Sequence, residues 1–290
     1  MSNLRTAVKK VPGVRFAGVR VRAAAQTAWR TARHALGRSD AEAVRAVQGI
    51  HRDQRCWIIG NGPSLNRLDL TRLRGEITFG CNCVWLLHER LGGHTSYYCV
   101  EDNLVIEDRA QQIRQLNGPL KFFPADQRKH LAGCENSVFT EFVRGEYPGF
   151  PRFSQRCDRV VFWGGTVVYM MLQLARWMGC DPIYLIGVDM DYRLNSDQSV
   201  EGPTITSGGP DVNHFHPDYF GPGKRWHDPR VDLMQRCLRH AREHLQAQGV
   251  RAYNATRGGK LESWTRVDYD EVFATPVPAR PHRIGRPGTL

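Results

Sequence analysis

Short apolar runs that end in glycine or a polar residue recur along the chain. Cys56-Trp57-Ile58-Ile59-Gly60 is the first. Ile77 to Gly80, Ser96 to Val100, Leu120 to Phe123, Ile183 to Gly187 and Val250 to Asn254 follow. Their length and their β-branched and aromatic content predict buried strands. Between them lie segments with helical period. Val167, Met170, Met171, Leu174 and Trp177 share one face of a helix predicted over 166–178. Leu233, Cys237, Leu238, Ala241 and Leu245 do the same over 229–248, and Gly249 supplies the stop. Strands alternating with helices predict an α/β fold: a single Rossmann-like, doubly wound domain over residues 51–270 with a mostly parallel sheet.

Three segments break this pattern. Residues 193–228 hold Gly208-Gly209-Pro210, Gly221-Pro222-Gly223 and three histidines, and read as a long lid loop. Residues 271–290 turn Pro/Arg-rich from Thr275 and read as a disordered tail. Residues 1–50 read as a basic arm, in which Val21, Ala25, Ala28, Trp29, Ala32 and Leu36 recur at helical spacing, with Arg20, Arg22, Arg30 and Arg33 largely off that stripe. Such an amphipathic helix suits either an anionic membrane surface or a berth on its own domain.

Charge sharpens this division. The formal net charge is +11, yet residues 1–39 alone contain nine Lys/Arg and no acid. The last twenty residues add about two positive charges, which leaves the body near neutral. A basic arm on a neutral body argues against nucleic acid as the partner. No run of about 18 apolar residues occurs, and the N-terminus lacks a signal-peptide pattern. The expected location is cytoplasmic, with residues 1–39 in peripheral contact with the inner face of the membrane. The eight cysteines form no C-x2-C pair and read as reduced, buried thiols. His214 and His216 alone are too few for a zinc site, so no metal ligand is assigned.

Gly60-Asn61-Gly62-Pro63-Ser64-Leu65 follows the first strand. Two glycines allow a tight turn and a close approach to a ligand at the carboxyl end of a sheet. This is not the dinucleotide fingerprint, because Leu65 replaces the third glycine and Gly80-Cys81-Asn82 offers no ribose-binding acid. No P-loop occurs either. Gly165-Thr166 opens the longest core helix and suits a phosphate or a simple N-cap. Asp189 and Asp191 at another strand end are a pair able to hold a divalent cation on a diphosphate.

Gly60 to Leu65, then Cys81-Asn82, then Gly179 to Asp189 together resemble the bacterial sialyltransferases of glycosyltransferase family 42. They are also similar to a wider group related to archaeal 6-hydroxymethylpterin diphosphokinases and flagellin-glycosylating proteins. The resemblance covers about residues 55–260. It implies a nucleotide-activated sugar donor, of the cytidine-monophosphate type, and transfer to a glycan acceptor in bacterial surface-polysaccharide assembly. Asn61, Ser64 and Asn82 would hold the nucleotide, with Asp102 or Asn103 at the next strand end. The family has Asn there, so Glu101-Asp102 is a departure. Tyr192 and Tyr219 would hold the phosphate, with Lys224 and Arg225 to neutralise it, and Asn254 would reach the nucleotide from the last strand. The general base implied is His227, just before the helix that follows the lid; His214 is the competitor. A histidine suits the task because its ordinary pKa leaves it neutral in the cell. The family needs no cofactor. The alternatives left open are an ATP- and Mg2+-dependent pyrophosphokinase using Asp189 and Asp191, and a non-catalytic nucleotide- or glycan-binding protein.

Overall fold

A computed structural model describes residues 40–193 and 197–274. The N-terminal stripe and its arginines, the proposed membrane contact and the tail from Thr275 lie outside the described residues.

Seven parallel strands form the central sheet: β1 (Cys56–Ile59), β2 (Ile77–Cys81), β3 (Tyr97–Cys99), β4 (Leu120–Pro124), β5 (Ser137–Thr140), β8 (Ile183–Ile186) and β12 (Ala252–Asn254). Their spatial order is β12-β8-β1-β2-β3-β4-β5. The chain builds outward from β1 to β5, then returns to the other side of β1 with β8. The order therefore reverses between β1 and β8. In such sheets ligands sit beyond the carboxyl ends of the strands at the point of reversal.

Every residue of β1 is buried, because helices cover both faces of the sheet. Cys56 and Ile58 pack into one layer, Trp57 and Ile59 into the other. The first layer is built on α3 (Val167–Trp177), where every residue except Arg176 is buried. Beside it lies α4 (Val231–Ala247), which turns Leu233, Cys237, Leu238, Ala241 and Leu245 inward as its period predicts. The second layer includes α2 (Asn103–Gln115). All eight cysteines are buried and free.

Segments at both ends of the described residues pack onto the sheet. Helix α1 (Asp40–Ala46) belongs to the body: Ala43, Val44 and Val47 are core residues. The Val44 carbonyl accepts a hydrogen bond from the Trp177 indole at 2.7 Å. Asp40 accepts one from the Phe139 backbone N–H at 3.0 Å, on edge strand β5. An exposed edge invites further pairing, and α1 covers this one. At the other end α5 (Tyr269–Ala274) is ordered by Trp57, whose ring stacks on Tyr184 at 4.7 Å and on Phe273 at 5.0 Å.

Two small sheets lie outside the main one. Strands β6 (Phe142–Val143) and β7 (Val161–Phe162) pair in parallel. The lid is not a plain loop: β9 (Ser199–Glu201), β10 (Thr204–Thr206) and β11 (Arg225–His227) form an antiparallel sheet. Tyr219 and Ile205 anchor it as fully buried side chains.

Candidate active site

The glycine turn after β1 lies against the end of β8. A Cβ on Gly60 would fall 2.3 Å from the Gly187 carbonyl oxygen, and one on Gly62 would fall 2.4 Å from the Asp189 carboxyl carbon. Glycine is required here for close approach of two backbones. The Gly62 N–H donates to Gly187 at 2.8 Å. Asp189 accepts from the Ser64 backbone N–H at 2.9 Å and from the Ser64 hydroxyl. Ser64 is buried and spends its polar atoms on this clamp, behind the turn and away from the cleft lining.

Beyond the turn a narrow inner pocket of about 70 Å³ is lined by Gly60, Asn61, Gly62, Asn82, Thr166, Asp189, Tyr192, His214 and Tyr219. Three buried polar atoms here have no hydrogen-bond partner among the described residues: Asn61 Oδ1, Asn82 Oδ1 and the Tyr219 hydroxyl. The Asn82 side chain lies beside the Tyr219 hydroxyl. Asn82 adopts a left-handed backbone, φ +48°, which asparagine tolerates better than most residues. Its carbonyl is fixed by the Tyr98 hydroxyl at 2.8 Å. Unpaired buried polar groups are costly and rare. Three at one switch point form a ready set of partners for a polar ligand. The N-terminus of α3, with Thr166 as its N-cap, opens into the same space and favours an anion.

The inner pocket widens into an outer cleft of about 390 Å³ that shares Asn82, Thr166, Tyr192 and His214 with it. Asp102, Asn103, Gly165 and His227 line this outer part. Asp102 caps α2, accepting from the Leu104 N–H at 2.8 Å. It also lies 3.0 Å from His227 Nδ1. That hydrogen bond raises the His227 pKa above its ordinary 6.5, and burial opposes it. His214 makes a second pair of this kind, its Nδ1 2.8 Å from Asp211. Its ring stacks flat on Tyr219 with centroids 3.9 Å apart. In its neutral form, a ring whose Nδ1 proton is held by a carboxylate has Nε2 as its acceptor.

Several polar groups serve the scaffold. Arg225 is ion-paired with Asp108 at 2.7 Å and Glu107 at 3.4 Å, and Lys224 donates to the Asp108 carbonyl. Both tie the lid to α2, and neither lines the cleft. Asn254 is buried and spends its amide on Leu261 and Thr256 within its own turn. Asp191 is paired with Lys260 at 2.7 Å, so the two acids expected to share a cation each have a separate partner. No group of three metal-ligating side chains occurs among the described residues.

The structure brings into the cleft Glu101, noted in the sequence only as a departure, and residues that the sequence did not single out. Glu101 lines the cleft, is 7% exposed, and burial pushes its carboxyl up to about 7. Arg144 opposes that shift from 3.3 Å. Trp163, Arg144 and Arg230 also line the cleft. Arg144 and Trp163 fall in the segment around β6 and β7, where no periodic pattern marks them.

No protein-family model and no curated protein matches this sequence. Two solved structures of the sialyltransferase CstII from Campylobacter jejuni are similar to the chain. In one, a complex with the substrate analogue cytidine-5'-monophosphate, the identity is 15%, the match covers 74% of this chain and 85% of that one, and the TM-score is 0.43. In the other, a complex with CMP-3FNeuAc, the values are 16%, 74%, 86% and 0.39.

Proposed function

We propose that this protein is a glycosyltransferase that moves a sugar, of sialic-acid type, from a cytidine-monophosphate donor to a glycan acceptor. The observation that carries the reading is the set of unpaired buried atoms on Asn61, Asn82 and Tyr219 at the sheet's switch point, opening directly into a cleft with two Asp-held histidines. The motif resemblance of Gly60 to Leu65 and Cys81-Asn82 supports the choice of nucleotide.

The nucleotide would insert one end into the inner pocket and extend into the adjoining part of the outer cleft, with its phosphate toward Gly165, Thr166 and Tyr192. His227 Nε2 takes the proton of the acceptor hydroxyl. The oxygen attacks the anomeric carbon as the bond to the phosphate oxygen breaks, with inversion. The N-terminus of α3 stabilises the charge gathering on the leaving phosphate. A donor with one phosphate needs no metal in this scheme. Residues 1–39, rich in arginine and lysine, would bring the enzyme to the inner face of a membrane that carries lipid-linked acceptors of surface-polysaccharide assembly.

Calorimetric titration with cytidine monophosphate, beside ATP with Mg2+, tests this reading. Metal-independent binding of cytidine monophosphate that weakens in Asn82→Gly supports it. Binding of ATP with Mg2+ alone overturns it in favour of phosphoryl transfer.

A further inference from the structure

Outside the cleft, charge is unevenly spread over the body. Of the 40 Lys/Arg, nine precede residue 40 and three follow residue 274, leaving 28 against 29 Asp/Glu in between. The side that carries α4 departs from this balance. The loop between β6 and β7 runs along α4: the Arg236 guanidinium lies 5.2 Å over the Phe150 ring, and Phe153 stacks on His244 at 4.6 Å. Those two contacts are about two turns of α4 apart, roughly 12 Å. Arg152 stands between Phe150 and Phe153, and Arg159 lies further along the same loop. Arg152, Arg159 and Arg239 of α4 are exposed, and none of the three is ion-paired among the described residues.

Where other arginines on this side meet acids, two share each carboxylate. Arg45 of α1 and Arg156 pair with Asp158 at 3.1 and 2.7 Å. Arg230 and Arg236 pair with Glu146 at 2.8 and 3.5 Å. Arg176 is held by neutral amides, Gln155 at 2.9 Å and Gln248 at 2.6 Å. Against these stand only exposed Asp232 and Glu243, the latter paired with Arg242 at 3.5 Å. Positive charge therefore survives the pairing here, and the rest of the body carries the matching excess of acid. A flat anionic surface is attracted to this side alone, which gives the molecule one preferred orientation.

The arm has the same need. Its 39 residues, with nine Lys/Arg and no acid, join the body at Asp40, five residues before Arg45. Like charges repel, so the arm is not the cover for this face. The face also borders the cleft: Phe150 lies 5.9 Å from Trp163, and Arg230 lines the cleft itself.

We propose that the α4 side of the body, with Arg152, Arg159 and Arg239 exposed, is a docking face for the anionic headgroups of a lipid bilayer, and that it holds the outer cleft beside the membrane surface. The arm is a second attachment, and two attachments fix an orientation that one leaves free. The use of that orientation, access to a lipid-linked acceptor, rests on the transferase reading; the docking does not.

Co-sedimentation of the full chain with phosphatidylcholine vesicles, with and without about 30% phosphatidylglycerol, tests it. The chain should bind the anionic vesicles alone. Replacing Arg152, Arg159 and Arg239 together by Ala should weaken that binding at least tenfold, since each cation near the surface contributes a factor of about five. A control chain with Arg74→Ala, Arg114→Ala and Lys129→Ala loses the same net charge from exposed positions on the α2 side. It should bind within threefold of the parent, and thermal melts should show both variants folded. Equal weakening in the two variants, unchanged binding in the first, no vesicle binding by the parent, or tighter binding to a DNA duplex than to anionic vesicles overturns the proposal. Titrating the same chains with cytidine monophosphate separates the two readings: docking through these arginines without nucleotide affinity would uphold the face and remove the transferase reading.

Discussion

Asp102 holds His227 by its Nδ1 at 3.0 Å with the same carboxylate oxygen that caps helix α2 at the Leu104 N–H. One side chain thus fixes both the start of a core helix and the orientation of the proposed base. This acid has a structural use, which does not require a cation beside it.

This pairing sets a pH dependence. A base works only when unprotonated, and Asp102 raises the His227 pKa above 6.5. Activity should therefore fall as pH drops through that raised value. In Asp102→Asn the acid limb should move to lower pH and kcat should drop roughly tenfold or more. Asparagine is as good an N-cap as aspartate, so the helix should survive. A pH–rate profile with an unmoved acid limb in this variant would rule out His227 as the titrating base.

Glu101 predicts a slope in stability. Its carboxyl titrates at about 7 in the folded protein because of burial, against an ordinary 4.5. Between those values the native state binds more protons than the unfolded one, so this group makes stability fall as pH rises from 4.5 to about 7. Glu101→Gln should flatten that slope and stabilise the protein above pH 7, by at most about 3 kcal/mol. Urea unfolding at pH 5 and pH 8 checks the sign.

Asn82→Gly removes an unpaired buried amide oxygen while keeping the left-handed backbone that glycine adopts freely. Stability should change little. Cytidine monophosphate affinity should fall roughly tenfold, the loss of one or two hydrogen bonds. Calorimetry reads the affinity, and a thermal melt shows that the fold is retained.

Gly62→Ala should act the other way, on the scaffold first. Its Cβ would overlap the Asp189 carboxylate at 2.4 Å, against a clamp that Ser64 holds from the far side. The turn has to shift, at a cost of about 1–3 kcal/mol. A lower melting temperature should accompany weakened nucleotide binding. An unchanged melting temperature would show that the turn and the β8 end are not coupled as described.

Much of the frame was legible along the chain. Strands β1, β2, β3, β4, β8 and β12 and helices α3 and α4 follow from local hydrophobic period, since burial on one face repeats within a few residues. The glycine turn, Asn82 and His227 were marked by motif and lie in the cleft. Edge strand β5 and the strands of the lid were missed, because Ser-Val-Phe-Thr, Ser-Val-Glu, Thr-Ile-Thr and Arg-Trp-His each set only one or two apolar residues among polar ones and form no apolar run. Helix α1 was assigned to the arm because its helical pattern says nothing about the sheet edge it covers.

The division of labour among polar residues was settled only in three dimensions. Ser64 meets Asp189 and Asp102 meets His227, each across 125 residues of sequence. Lys224 and Arg225 turned to α2, and Asn254 to its own turn. Sequence by itself determined where strands end and which residues carry usable chemistry, since those properties are local. Which polar groups were consumed by the scaffold and which were left unpaired for a ligand depended on burial and on contacts between distant segments, and those exist only once the chain has folded.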